Sequence, residues 1–183
     1  MSAMQEQLAI NRAKVWDPFV RVFHWSLVSC VTLNLFILEE GKQAHRWSGY
    51  IAVGLVLARL LWGFIGSEHA RFASFFPTPS RLKNHLGAIR RGQHPQVVGH
   101  NPLGALMMFA LMGLILSLGV TGYLLRTDAY FEDEMLQDIH GAIANTLMAL
   151  VGLHALAAIV MSRIERVNLV RAMITGIKEW RQG

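Results

Sequence analysis

Eight histidines and a single cysteine, Cys30, set the chemistry open to this 183-residue chain. One cysteine cannot form an internal disulfide, and no Cys-x-x-Cys is present to hold zinc or an iron–sulfur cluster. Any metal or cofactor must therefore be held by other ligands, and imidazole is the obvious stock. His69, His85, His94 and His100 fall in a polar connection, residues 67–102, where a histidine needs no special reason and solvation is expected. His24, His45, His140 and His154 lie in or at the ends of long apolar runs, where an ionisable side chain is costly and points to function. His140 and His154 are 14 residues apart. On one helix that is almost four turns, so both point the same way, about 21 Å apart. The spacing calls for two sites.

The elements that must position these residues are membrane helices. Apolar runs at 19–38, 49–66, 103–125 and 139–161 can each cross a hydrocarbon core that takes about 20 helical residues. Asp17-Pro18 and Asn101-Pro102 supply a capping side chain followed by a proline suited to the first turn. Small residues at helical spacing (Gly104, Gly113, Ser117; Gly141, Asn145, Gly152) let helices approach closely in lipid. The expected fold is all-α: one domain, 1–183, folded as an integral membrane four-helix bundle. Composition agrees, with 53% hydrophobic and only 16% charged residues, against about 25% charged in a soluble domain. The same figures exclude disorder and a collagen-like chain. Leu27-Val28-Ser29-Cys30 matches a lipoprotein cleavage box, but Arg21 interrupts the preceding stretch and apolar residues continue to Leu38, so the first span is expected to be retained.

Orientation follows from the basic residues. Of 17 Lys and Arg, thirteen fall in the N-terminal arm, the 67–102 connection and the C-terminal tail, whereas Lys42, Arg46 and Arg126 lie opposite and Arg59 lies within a span. Positive-inside bias puts both termini of the multi-pass chain in the cytoplasm. The net charge of +5 then needs no nucleic acid to explain it. Two cytoplasmic stretches read as short interfacial amphipathic helices. One starts from Ser80 as N-cap with Leu82, Leu86 and Ile89 on a face, and the other carries Leu169, Val170, Met173, Ile174 and Ile177. Ordinary solvated surface helices are the alternative.

Depth decides which histidines can meet. His24 is about one and a half turns into the first span from its cytoplasmic start, and His45 tops the second span at the outer face. His140 is near the outer end of the fourth span and His154 near the inner depth. His45 with His140 makes an outer site; His24 with His154 makes an inner one. Within the spans no Cys, Asp or Glu lies at either depth to complete a zinc tetrahedron. Haem needs only two axial ligands, and its apolar macrocycle suits a lipid-level interior. Its propionates need cations. Arg59 follows His45 by the same 14 residues and Arg21 precedes His24 by a turn, so both are candidates at the inner haem; Arg46 and Arg126 are candidates at the outer one. The alternatives are histidines satisfied by cross-helix hydrogen bonds and an Arg59 that snorkels to the headgroups.

Trp16-Asp17-Pro18-Phe19-Val20-Arg21-Val22-Phe23-His24-Trp25, His45-Arg46-Trp47-Ser48-Gly49, Gly99-His100-Asn101-Pro102-Leu103-Gly104, and Asp138-Ile139-His140-Gly141 with His154 together resemble the bacterial cytochrome b561 family, which includes b-type cytochrome subunits of Ni,Fe-hydrogenases. The resemblance runs over almost the whole chain. It implies an inner-membrane four-helix bundle with two b haems and axial histidines on the first, second and fourth spans. It also implies respiratory-type electron transfer across the membrane, often with quinone and a partner redox protein, and one branch oxidises superoxide.

The outer connections discriminate among members. Glu39, Glu40, Asp128, Glu132, Asp133, Glu134 and Asp138 make that face negative, which favours a cationic partner such as a c-type cytochrome over the superoxide anion. Acids collecting on the side that positive-inside bias leaves free is the plainer account. The leading expectation is an electron-transfer cytochrome, with no catalytic residue, between quinone or a membrane-associated dehydrogenase and a periplasmic redox protein. The alternatives are a superoxide:quinone oxidoreductase using the outer haem edge beside Arg46 and Arg126, and a hydrogenase anchor subunit. A homodimer is a candidate state, and a lone monomer or homodimer that reacts with quinol by itself would weaken the anchor reading. Cys30 reads as packing, and His100 as a residue at the start of the third helix or one near a quinone site.

Overall fold

The structure, a computed structural model, describes residues 12–93, 98–131 and 133–180. His94, Glu132 and Arg181 lie outside the described residues. In chain order the elements are β1 (Arg12–Lys14), α1 (Pro18–Phe36), α2 (Gln43–Ile65), a 3-10 turn (Glu68–Ala70), α3 (Phe72–Phe75), α4 (Pro79–Arg90), α5 (Pro102–Leu124), α6 (Glu134–Ile164), α7 (Leu169–Thr175) and β2 (Ile177–Glu179). Four of them, α1, α2, α5 and α6, are long and apolar enough to cross a membrane. Between 6% and 28% of their most apolar stretches is buried within the chain, so most of that apolar surface faces outward. Residues such as Phe36, Leu61, Phe64 and Met135 are more than 60% exposed, an arrangement that suits lipid.

The four expected spans are therefore present with adjusted ends. α2 begins at Gln43 and not at residue 49, and α6 at Glu134 and not at 139. Polar turns outside the apolar run extend each helix, and hydropathy alone does not register them. Asp133 starts α6, its Oδ1 accepting from the Leu136 N–H at 2.8 Å. The two expected caps both form: Asp17 Oδ1 accepts from the Val20 N–H at 2.8 Å, and Asn101 Oδ1 from the Gly104 N–H at 2.7 Å.

Two compact units are distinguished. One comprises Val22–Leu61 and Met107–Leu153. Its interior includes Ala52, Val56, Met112, Ile115 and Leu147. Close helix approach here uses Gly119, where an added Cβ would come within 2.4 Å of Val53 Cγ2. The Ser48 hydroxyl donates to the Cys30 carbonyl at 3.3 Å, and Cys30 itself is a half-buried free thiol.

The other unit comprises the described parts of Met1–Arg21, Trp62–Leu106 and His154–Gly183. Val15, Trp16, Val20, Ala70 and Ala172 form its core, with Phe19, Trp62 and Met173 against it. Asp17 ties three segments together, because its Oδ2 also accepts from the Trp62 indole N–H at 3.0 Å and the Ser67 hydroxyl at 2.5 Å. β1 and β2 pair antiparallel, Arg12 opposite Glu179 and Lys14 opposite Ile177. Gly176 has φ 85° and its carbonyl accepts from the Val15 and Trp16 N–H groups. A Cβ there would meet the Trp16 carbonyl at 2.6 Å, so glycine is required on both counts.

Three local expectations need correction in this unit. Thr78, and not Ser80, caps α4, accepting from the Arg81 N–H ahead of Pro79. Its inward side carries His85, 7% exposed, between half-buried Leu82 and Ile89, while Leu86 points out; His85 is thus buried and not solvated. The last amphipathic stretch stops at Thr175, because Gly176 turns left-handed and delivers Ile177 to β2.

Candidate functional site

His140 is the histidine whose surroundings say most about its chemistry. Thr121, on α5, places its Oγ1 2.7 Å from His140 Nδ1 on α6. The same hydroxyl lies 3.0 Å from the Ser117 carbonyl and 3.3 Å from the Leu118 carbonyl. A hydroxyl has one proton, and when a helix carbonyl takes it Thr121 can accept a hydrogen bond from His140 Nδ1–H. In that arrangement Nε2 carries the lone pair, the state required of a neutral metal ligand. Next to it, Gly122 keeps space open: an added Cβ would stand 3.3 Å from His140 Cε1.

His45, near the start of α2, is half-buried and its Nδ1 is enclosed with no hydrogen-bond partner. It is close enough to His140 for their charges to interact, with Glu40 also in range. Among the described residues no group of three or more His, Cys, Asp and Glu is arranged to hold a metal ion. Two imidazoles, one oriented through Nδ1 and one free at Nδ1, with a glycine clearing the ring, fit a group that brings its own four equatorial nitrogens. They do not fit a bare ion.

His24 is half-buried on α1, edge-on to the Trp25 ring at 5.2 Å. His154 is half-buried on α6. The former belongs to the unit that holds His45 and His140, the latter to the other unit. Arg59 is 1% exposed, with Nη2 4.0 Å from Met108 Sδ, so its guanidinium does not snorkel outward. Arg21 Nε is buried without a hydrogen-bond partner. Arg46 is half-buried, whereas Arg126 is exposed and lies 6.0 Å from the centre of the Phe131 ring. His100 is held between aromatic rings, 4.6 Å from Trp16 and 4.4 Å from Phe75. On the outer connections Glu39, Glu40, Asp128, Glu134 and Asp138 are exposed, while Asp133 is occupied in capping α6.

Sequence reasoning missed Thr121 and Gly122. The available signal was a hydroxyl and a glycine near the end of the third apolar run, at the depth of His140.

Comparison with known proteins gives a family match over most of the chain. The family described as prokaryotic cytochrome b561 matches residues 15–176. Curated relatives named "Probable Ni/Fe-hydrogenase B-type cytochrome subunit" include one from Bradyrhizobium diazoefficiens, 27% identical over 91% of this chain and 86% of its own, and one from Azotobacter vinelandii, 25% identical over 91% and 87%. A third, from Rhizobium leguminosarum bv. viciae, is 22% identical over 92% and 90%. No solved structure gives a significant match.

Proposed function

The chain belongs to the prokaryotic cytochrome b561 family, and from that premise we propose that it carries electrons across the bacterial inner membrane through two b haems, between quinone and a redox protein docked at the outer face. The observation that carries this reading is the Thr121–His140 contact, which engages Nδ1 and supports Nε2 as the ligating atom. Haem, when bound, supplies a one-electron iron couple inside an apolar environment.

The chain's own residues do the rest. His45 and His140 hold the outer group, and His24 and His154 the inner. A group held by two imidazoles would leave no open position for oxygen or peroxide, which favours electron carriage over inner-sphere catalysis. Arg59 and Arg21 neutralise the inner propionates, and Arg46 and Arg126 the outer ones. Arg59 is the best placed of these by depth and by its inward turn, being 1% exposed. The basic arm, connection and tail face the cytoplasm, so the acidic connections face the periplasm and steer a cationic partner.

The names of the relatives favour one specific second reading, in which the outer-face partner is a Ni/Fe-hydrogenase and this chain is its membrane anchor. Purification from native membranes separates the two. Co-purification of hydrogen-dependent quinone reduction supports the anchor, whereas a lone chain reduced by quinol supports a diffusible partner such as a c-type cytochrome.

The central test is a pyridine haemochrome assay with oxidised and reduced spectra of the detergent-purified protein and its His→Ala variants. Two b haems per chain are expected, one lost in the His45 and His140 variants and the other in the His24 and His154 variants. Well-folded protein without haem overturns the proposal.

A further inference from the structure

The end of α6 has a feature that electron transfer does not use. Arg166 has φ 53°, the single non-glycine residue in the left-handed region among the described residues. The Val167 N–H reaches back to the Ser162 carbonyl at 3.1 Å, closing the helix in an arrangement whose left-handed position favours glycine. Here that strained position carries a guanidinium, and strain of this kind points to a role for the side chain.

A groove of about 840 Å³ opens beside it, lined among others by Arg163, Arg166, Arg171, Ile159, Val170 and Ile174. Arg163 and Arg166 have no ion pair among the described residues, and Arg171 reaches Glu179 only at 4.0 Å. The three aliphatic side chains are each about half exposed, at 48%, 45% and 53%. Cations and branched apolar side chains on one groove match a phosphate ester joined to acyl chains. The depth also matches. α6 has 31 residues and a length of about 46 Å, against a hydrocarbon core of about 30 Å, so one end emerges among the headgroups.

We propose that this groove binds one anionic phospholipid, with the phosphate held by Arg163, Arg166 and Arg171 and the acyl region laid along Ile159, Val170 and Ile174. Basic pockets at helix ends select anionic headgroups by the same electrostatics. The proposal requires α6 to span a bilayer and is independent of haem.

Native mass spectrometry of the full chain in neutral detergent tests it, using phosphatidylglycerol, phosphatidylcholine and inorganic phosphate as probes. Phosphatidylglycerol is expected to bind one-to-one, at least about fivefold tighter than phosphatidylcholine, and to resist millimolar phosphate. Arg166→Gly removes the charge and suits the backbone, so it should weaken phosphatidylglycerol about fivefold while leaving the thermal midpoint equal or higher. Arg163→Gln, at an ordinary helical position, should weaken it similarly and serves if the first variant fails to fold. Equal binding of the two lipids, or unchanged binding in the variants, overturns the proposal. Complete displacement by phosphate also overturns it, showing a site for a free anion.

Discussion

Thr121 is where the chemistry of His140 is decided, because it chooses which ring nitrogen carries the proton. Thr121→Val keeps the shape and removes the acceptor from His140 Nδ1–H. If His140 holds haem as proposed, the ring would be a weaker donor to it, and the midpoint potential should rise by about 40 mV, the one-electron equivalent of about 1 kcal/mol. A redox titration of the variant, with haem content retained, checks this; an unchanged potential removes Thr121 from the site. The four candidate histidines stood out in the sequence because charge-bearing side chains are rare in apolar runs. Thr121 was not, since a threonine that returns its proton to its own helix is ordinary in such runs. Arg59 was half legible: its position showed, but only packing decides whether a long side chain turns inward or snorkels.

Helices with a dominant apolar run were legible nearly to the residue, and their polar turns were not. α2 gains Gln43 to Ser48 ahead of the expected span, and those turns carry His45. Short elements fixed by single contacts were less legible still. Phe72 in α3 is one such contact, buried with ring centroids 5.5 Å from Phe64 and 6.0 Å from Phe75. A Cβ at Gly63 would stand 2.1 Å from its ring, and flanking rings block a simple swing aside. Gly63→Ala should therefore cost about 1–3 kcal/mol, read as a lowered thermal midpoint in detergent. A midpoint within error of the wild type would show that the ring has room to move.

Across the whole molecule, the pairing of residues 12–14 with residues 177–179 was invisible in the sequence, because three-residue strands have no alternation to detect. Lys178 in β2 is 3% exposed and donates to the Gly99 carbonyl at 3.0 Å. Burial pushes its ammonium below the usual lysine value of 10.5, with Glu165 acting in the opposite sense. Between the lowered folded value and 10.5 the unfolded chain binds more protons, so stability rises with pH across that window, and below it the full cost of burying the charge is present. Lys178→Met carries no such proton. The wild type should gain thermal stability relative to that variant as pH climbs toward 10.5, and parallel curves would refute the linkage. The strand pair also sets an order of events in biogenesis. Membrane helices can enter the bilayer one after another as they are made, but β1 must wait for a partner encoded more than 160 residues later. At ribosomal speeds of about 5–20 residues per second, that delay is about 8–30 s. Until then the Val15 and Trp16 amides lack the Gly176 carbonyl that later receives them, so this part of the fold closes only after translation has passed the last span.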